Sequence, residues 1–305
     1  MSLLFVFIDG VGVGEKSDNN PLATAALKSF SYFTEGEGLH SGIKPSLKKD
    51  KLYIPIDANL DVEGLPQSGT GQASLFSGQN ASKIAGKHFG PFPYSKTKFL
   101  LKEESLFHKA LKEGFKPHFL NAYPDIFFIK SAQRNRWTCT TLMAKSAGVK
   151  LNRLKDIQNE KGLTAEIIQD AWRNSLNLDV PEITPEDASE RALNSLKVYD
   201  LVLYEYYLTD KMGHQMDSAN TGKILYVLDR FMFRIIQKLS DTDTLVITSD
   251  HGNIEDLSIK THTRNPVPLF VKGDTEPFSK ATSILDVTPA IIESLKRGEK
   301  IEKAP

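Results

Sequence analysis

"LLFVFIDG", Leu3 to Gly10, decides the fold: six consecutive apolar residues run straight into an Asp-Gly pair. A strand with one wet face alternates apolar and polar residues, whereas an unbroken apolar run marks a strand buried on both faces. The same pattern recurs in "YDLVLYEYY" (Tyr199 to Tyr207), "DTLVITSD" (Asp243 to Asp250) and "VPLFV" (Val267 to Val271), and "KPHFLNAY" (Lys116 to Tyr123) is a fifth candidate strand. Helical spacing fills the intervals. "SLFHKALKEG" stops at Gly114, a C-cap signal. "TPEDASERALNSLK" opens with Thr184, Pro185 at the first helical position and Asp187 three residues after the cap. "NTGKILYVLDRFMFRIIQKLS" carries a period near 3.6, and "ILDVTPAIIESLKRG" is a further helix. Strands alternating with helices predict an α/β three-layer sandwich, a mostly parallel central sheet covered on both faces.

Residues 122–183 break this rhythm. "RNRWTCTTLMAKSAG" and "LTAEIIQDAWRNSL" read as helical pieces without a buried strand between them. The division expected is therefore a core of residues 1–121 and 184–305 with a small, mainly helical cap insert at 122–183. "GLHSGIKPSLKKDK" (Gly38 to Lys51) is polar and glycine-containing, and is expected to be an exposed loop.

Composition bounds the partners. Lysine plus arginine equals aspartate plus glutamate, 38 each, with no basic stripe or tail, which argues against nucleic-acid and anionic-membrane binding. The single cysteine, Cys139, offers neither an internal disulfide nor a cysteine-based zinc site. The N-terminus lacks a basic leader and a small-residue cleavage site, and no run approaches the length of a membrane span. A cytoplasmic location is the expectation.

In open α/β sheets, ligand-bearing residues collect at the carboxyl ends of strands. The first strand ends in Asp9-Gly10. The Tyr199–Tyr207 run leads into "LTDKMGH", with Asp210 and His214; "TSDHGN" supplies Asp250 and His251; and "THTRNPVP", just ahead of the Val267 run, supplies His262. Singly, each has a plain reading: a turn at Asp9-Gly10, a solvated helix face at Asp210 and His214, a surface or core histidine at His262. Together, three aspartates and three histidines at one sheet edge are what two divalent cations need, with hard oxygens and imidazole nitrogens suited to manganese or zinc. Two such cations clamp the attacking and leaving oxygens of a phosphoryl transfer.

"GLPQSGTGQASLFSG" (Gly64 to Gly78) places Ser68 and Thr70 among glycines ahead of a helix. Such a loop holds phosphate, presents a nucleophile, or only turns the chain. Ser68 becomes nucleophilic when a metal lowers its pKa, and Gly69 and Gly71 let backbone amides approach an anion at the helix start. Thr70 is the alternative nucleophile. The loop is not a Walker P-loop, and Pro66 stands where a G-x-S-x-G elbow requires its first glycine. Gly10, Gly12 and Gly14 miss the dinucleotide spacing, because Glu15 and Ser17 stand where the last glycine belongs.

The segments "FVFIDGVG", "GLPQSGTGQ", "DKMGH", "SDHGNIED" and "HTRNPVP", in this order, resemble the alkaline phosphatase superfamily. The resemblance is to the branch holding cofactor-independent phosphoglycerate mutase and phosphopentomutase. It covers the core from residue 3 to about 271 and leaves 122–183 unmatched. It implies one metal bound by Asp9, Ser68, Asp250 and His251, a second by Asp210, His214 and His262, and phosphorylation of Ser68. Gln72 departs from the Gly-His usual in these mutases after the loop, and the cap is too small to be the mutases' substrate domain. "QRNRW" (Gln133 to Trp137) offers Arg134 and Arg136 as anion clamps. Gly69, Thr70, His88 and Asn121 are further candidate substrate contacts.

The expected function is a two-metal phosphoryl-transfer enzyme working through a phosphoserine, a phosphatase on a small phosphate ester. A phosphomutase is the first alternative, and a non-catalytic metal- or phosphate-binding module the second.

Overall fold

Strands β1 (Leu3–Ile8), β2 (Ser46–Lys48), β3 (Lys51–Ile56), β4 (Pro117–Phe119), β5 (Leu201–Tyr206), β6 (Thr244–Thr248) and β7 (Val267–Lys272) form one sheet in the order β2-β3-β7-β6-β1-β5-β4. The computed structural model describes residues 1–302. β1 pairs in parallel with β5 on one side and β6 on the other, and β4 adds in parallel to β5. β7 runs against β6, β3 against β7 and β2 against β3, so five of the seven strands share one direction.

The apolar runs form central strands because both faces are covered. Leu3, Phe5 and Phe7 of β1 join Leu201 and Leu203 of β5 in one core layer. Leu4, Val6 and Ile8 join Val202, Tyr204 and Tyr206 in the other. The first layer is closed by the helices Ser68–Ser77, Lys98–Glu103, Leu106–Lys112 and Val287–Glu302, and the second by Lys28–Phe33, Pro185–Ser195 and Ser218–Lys238. Each of these fully buried aliphatic or aromatic side chains contributes about 1.5–3 kcal/mol. Phe7 meets Phe76 edge-on at 5.3 Å, and Phe270 of β7 stacks with Phe30, Phe33 and Tyr53.

The caps follow the sequence signals. Thr184 accepts from the Asp187 amide while the Asp187 carboxylate accepts from Thr184, a reciprocal capping box with Pro185 behind it. Gly114 follows the Leu106–Lys112 helix with φ +89°, the left-handed conformation that ends it.

Two expectations are corrected. The stretch Gly38 to Lys51 is not all loop: Ser46–Lys48 forms β2 and Lys51 begins β3. β2 has three residues, mostly exposed, at the sheet edge, so neither length nor alternation marks it, and Lys48 guards the edge. "LTAEIIQDAWRNSL" is helical only over Asp170–Asn174. Ile167 and Gln169 adopt positive φ ahead of it, and Ile167 is buried in the second core layer.

Within 122–183 lie the helices Asp125–Gln133, Cys139–Ser146, Leu154–Gln158 and Asp170–Asn174. Cys139, Leu142 and Met143 pack into the first core layer, while Ala122, Ile157, Trp172 and Val180 form a small cluster of their own. Among the described residues no helix is long and apolar enough to cross a membrane.

Candidate metal centre

Because β1, β5 and β6 are parallel, their carboxyl ends share one sheet edge, and β7, which is antiparallel, begins there. This topology brings Asp9, Asp210, Asp250, His251 and His262 together. Gly10 makes the closure possible: its φ is +70°, and a Cβ there would lie 2.7 Å from Asp210 Cβ. Ser68 arrives from a separate element as the first residue of the Ser68–Ser77 helix. Gly69 and Gly71 let that helix dock, since Cβ atoms there would lie 2.2 Å from Phe92 O and 3.1 Å from Asp250 O.

The cluster is dense. Ser68 Oγ lies 3.0 Å from His251 Nε2, which is 3.4 Å from Asp9 Oδ1 and 3.5 Å from Asp250 Oδ2. The His251 and His262 rings stack at 3.8 Å. His262 Nε2 is 3.4 Å from Asp210 Oδ1, and His214 Nε2 is 3.3 Å from Asp210 Oδ2. Two triads, Asp9–Asp250–His251 and Asp210–His251–His262, each gather three ligand atoms within 4.8 Å of one another.

The histidine tautomers are set from outside. His262 Nδ1 lies 2.6 Å from Pro66 O and His214 Nδ1 2.7 Å from Lys260 O; a carbonyl only accepts, so both Nδ1 atoms carry the proton. The two Nε2 atoms then face each other at 3.0 Å with lone pairs inward, an arrangement that calls for a positive charge between them.

Without a cation, protons must supply that charge. Burial, followed by the negative charges of Asp250, Asp210 and Glu205, pushes the Asp9 carboxyl well above its usual range. Burial and Asp210 push Asp250 up to about 7. Burial works in the same direction on Asp210, but hydrogen bonds from His214 and His262 outweigh it and hold that carboxyl far down. The bond to Asp210 lifts His214 to about 9, whereas burial and the neighbouring His262 depress His251 to about 3.

The residues fit divalent metal. Asp9 Oδ1 and both carboxylate oxygens of Asp250 are buried without a hydrogen-bond partner, a costly state for groups of this kind unless positive charge meets them. Carboxylate oxygens mixed with imidazole Nε2 atoms form a donor set for zinc, manganese or related ions.

Other residues position the cluster. Gln72 donates to Asp9 Oδ2 at 3.1 Å, so the position that departs from the mutases' Gly-His orients a central carboxylate. Glu255, in "SDHGNIED", was not singled out in the sequence. It is buried and accepts from the Gly12 and Asn253 amides, Thr263 Oγ1 and Asn265 Nδ2, tying three site loops together. Asn253 donates to Asp210 Oδ1 at 2.7 Å. Glu205, also unread, was legible as the lone acid inside a buried apolar strand. It accepts from Thr140 Oγ1 at 2.7 Å and Tyr123 Oη at 3.3 Å, and burial raises it to about 7.

The remaining candidates stand apart from the cluster. Thr70 is fully buried and its hydroxyl accepts from the Phe89 amide at 3.0 Å. Asn121 exchanges two hydrogen bonds with the Glu205 backbone. His88 bonds Ser82 Oγ and Val62 O beside a separate cleft. Arg134 is exposed at the end of the Asp125–Gln133 helix, and the Arg136 guanidinium stacks 3.8 Å from the Phe92 ring. A cavity of about 630 Å³ opens from Asp9, Ser68 and Asp210 toward Tyr123, Phe127 and Trp172 of the 122–183 segment.

Comparison with known proteins agrees with this architecture. The 2,3-bisphosphoglycerate-independent phosphoglycerate mutase of Desulforudis audaxviator (strain MP104C) is 27% identical over 124 residues, 38% of this chain and 24% of the relative. That of Ehrlichia canis (strain Jake) is 30% identical over 133 residues, 40% of this chain and 26% of the relative. The match thus spans about a quarter of the length of these curated relatives. The solved alkaline phosphatase from the Antarctic bacterium TAB5 shares the fold, with a TM-score of 0.55 at 12% identity over 97% of each chain. The family model described as the Metalloenzyme superfamily matches residues 135–297, more than half of the sequence, including Asp210, His214, Asp250, His251 and His262. The chain belongs to the Metalloenzyme superfamily.

Proposed function

We infer that this chain is a phosphoryl-transfer enzyme holding two divalent cations, manganese or zinc, with Ser68 as its nucleophile. Asp9, Ser68, Asp250 and His251 are the ligands assigned to one cation, and Asp210, His214 and His262 those assigned to the other. The observation that carries this reading is Ser68 Oγ at a helix N-terminus, 3.0 Å from His251 Nε2 and beside buried carboxylate oxygens with no protein partner. Bound cations supply positive charge that favours the serine alkoxide and neutralises the entering and leaving oxygens.

The chain's own groups do the rest. Gln72 Nε2 holds the Asp9 carboxylate in orientation, and Pro66 O and Lys260 O hold His262 and His214 with Nε2 inward. The N-terminal end of the Ser68–Ser77 helix presents its positive dipole to the phosphoryl group. Ser68 Oγ, its proton released to solvent, attacks phosphorus as the bond to the ester oxygen breaks. The alkoxide takes a proton from water and leaves as the alcohol, and a second water cleaves the phosphoserine to serine and inorganic phosphate. Residues 122–183 act as a cap that walls the cavity and limits what enters. The balanced charge and single cysteine favour a cytoplasmic setting.

Hydrolysis of a small phosphate ester is the reading favoured by this small cap. Phosphomutase activity, with a second substrate hydroxyl taking the phosphoryl group, is favoured by the similarity to phosphoglycerate mutases. Acid quenching of the metal-loaded protein during turnover of a phosphate ester, followed by peptide mass spectrometry, tests the central step. Phosphate on the Ser68 peptide is expected and is lost in Ser68→Ala. Turnover that persists in Ser68→Ala refutes the assignment.

A further inference from the structure

We propose that the non-reacting part of the substrate is an apolar, aromatic-sized group without a second anion, bound in the cavity between Ser68 and the 122–183 segment. The proposal rests on the phosphoryl-transfer reading of the Ser68 site and names its substrate class. The cavity, about 630 Å³, is of a size that takes a small organic ligand. Beyond Asp9 and Ser68 its apolar lining includes Phe92, Tyr123, Phe127, Trp172, Leu176 and Tyr207. Tyr123 and Phe127 stack at 4.2 Å into a continuous aromatic surface. Leu176 and Tyr207 stand 43% and 45% exposed at this cavity, apolar surface that an occupant would remove from water.

Charge points the same way. Among the described residues Lys211 is the single cationic side chain lining the cavity, and Glu205 is the one lining carboxyl group outside the assigned cation ligands. Arg136 lies over the Phe92 ring, a wall shared with a neighbouring cleft, and lines that cleft and not this cavity. A substrate with a carboxylate or second phosphate on its far end would meet aromatic rings and the Glu205 carboxyl instead of guanidinium forks. An apolar alcohol esterified to one phosphate gains from burial there and leaves no charge unpaired.

The test uses the metal-loaded full chain and two non-hydrolysable probes with the same acid group, 2-(2-naphthyl)ethylphosphonate and ethylphosphonate, titrated by calorimetry. The naphthyl probe is expected to bind roughly 100-fold more tightly, a difference typical of burying two rings. Leu176→Asp and Phe127→Ser, both on accessible segments, are expected to shrink that ratio about tenfold while far-ultraviolet circular dichroism confirms the fold. Equal affinity for the two probes, or tighter binding of a third, 3-phosphonopropionate, than of the naphthyl probe, overturns the apolar subsite and leaves the Ser68 reading intact. Failure of both probes to bind refutes the phosphoryl site and this inference with it.

Discussion

Asp250 gives the sharpest separation between stability and function. Its carboxylate is fully buried with neither oxygen hydrogen-bonded, and without metal burial and the Asp210 charge push it from an ordinary 3.8 up to about 7. A carboxyl whose folded pKa is raised stabilises the fold below its unfolded pKa and loses that contribution as pH rises through the folded value. The chelated wild type should therefore weaken between about pH 4 and 8. A shift of this size, at 1.36 kcal/mol per unit, sets a ceiling of about 4 kcal/mol. Asp9, also pushed up beside Asp250, shares the burden, since protonating either carboxyl relieves the other, so about 2 kcal/mol is the working expectation. Asp250→Asn removes the charge at nearly constant volume. In chelator its melting temperature should exceed that of the wild type at pH 8 by roughly 3–6 °C, and the gap should close toward pH 5. Added manganese or zinc should reverse the order, stabilising the wild type by mass action and leaving the variant behind. An Asn variant that melts below the chelated wild type at pH 8, or whose advantage is independent of pH, refutes the claim that uncompensated carboxylates crowd this site.

Three further perturbations address the scaffold. Gly10→Ala places a Cβ against Asp210 at a left-handed backbone position, and should cost about 2 kcal/mol in chemical denaturation while lowering metal affinity in competition titrations. Glu255→Gln breaks a buried acceptor of four donors and should cost about 3 kcal/mol by urea unfolding, with metal affinity falling alongside. Gln72→Leu leaves Asp9 Oδ2 without its donor. It should weaken metal binding about tenfold by chelator competition, with the melting temperature of the chelated protein little changed.

Much of this architecture was legible because burial on both faces leaves a distinctive mark: Leu3–Ile8, Leu201–Tyr206 and Thr244–Thr248 are apolar runs, and each became a central strand. The cluster was legible for a related reason. Asp9, Asp210, Asp250 and His251 are polar groups at the ends of such runs, where parallel topology brings them to one edge. What stayed hidden depended on partners remote in sequence. β2 has β3 as its one strand partner, and Pro55 within β3 obscured a strand that faces Pro268 across the ladder. The segment around Ile167 has helical spacing, yet burial of Ile167 in the second core layer overrides it. Arg134 and Arg136 carried the right chemistry for an anion, but the Asp125–Gln133 helix leaves Arg134 exposed and Arg136 lies on Phe92. The aromatic walls from Tyr123, Phe127 and Trp172 come from three stretches that no local pattern connects.

Elemental analysis of the protein after saturation with manganese or zinc and exhaustive dialysis tests the central claim most directly. The account predicts about two equivalents per chain for the wild type, falling by about one in His214→Ala and by about one in Asp250→Asn, as expected for separate ligand sets. A wild-type protein that retains no metal, or variants that retain as much as the wild type, would contradict it.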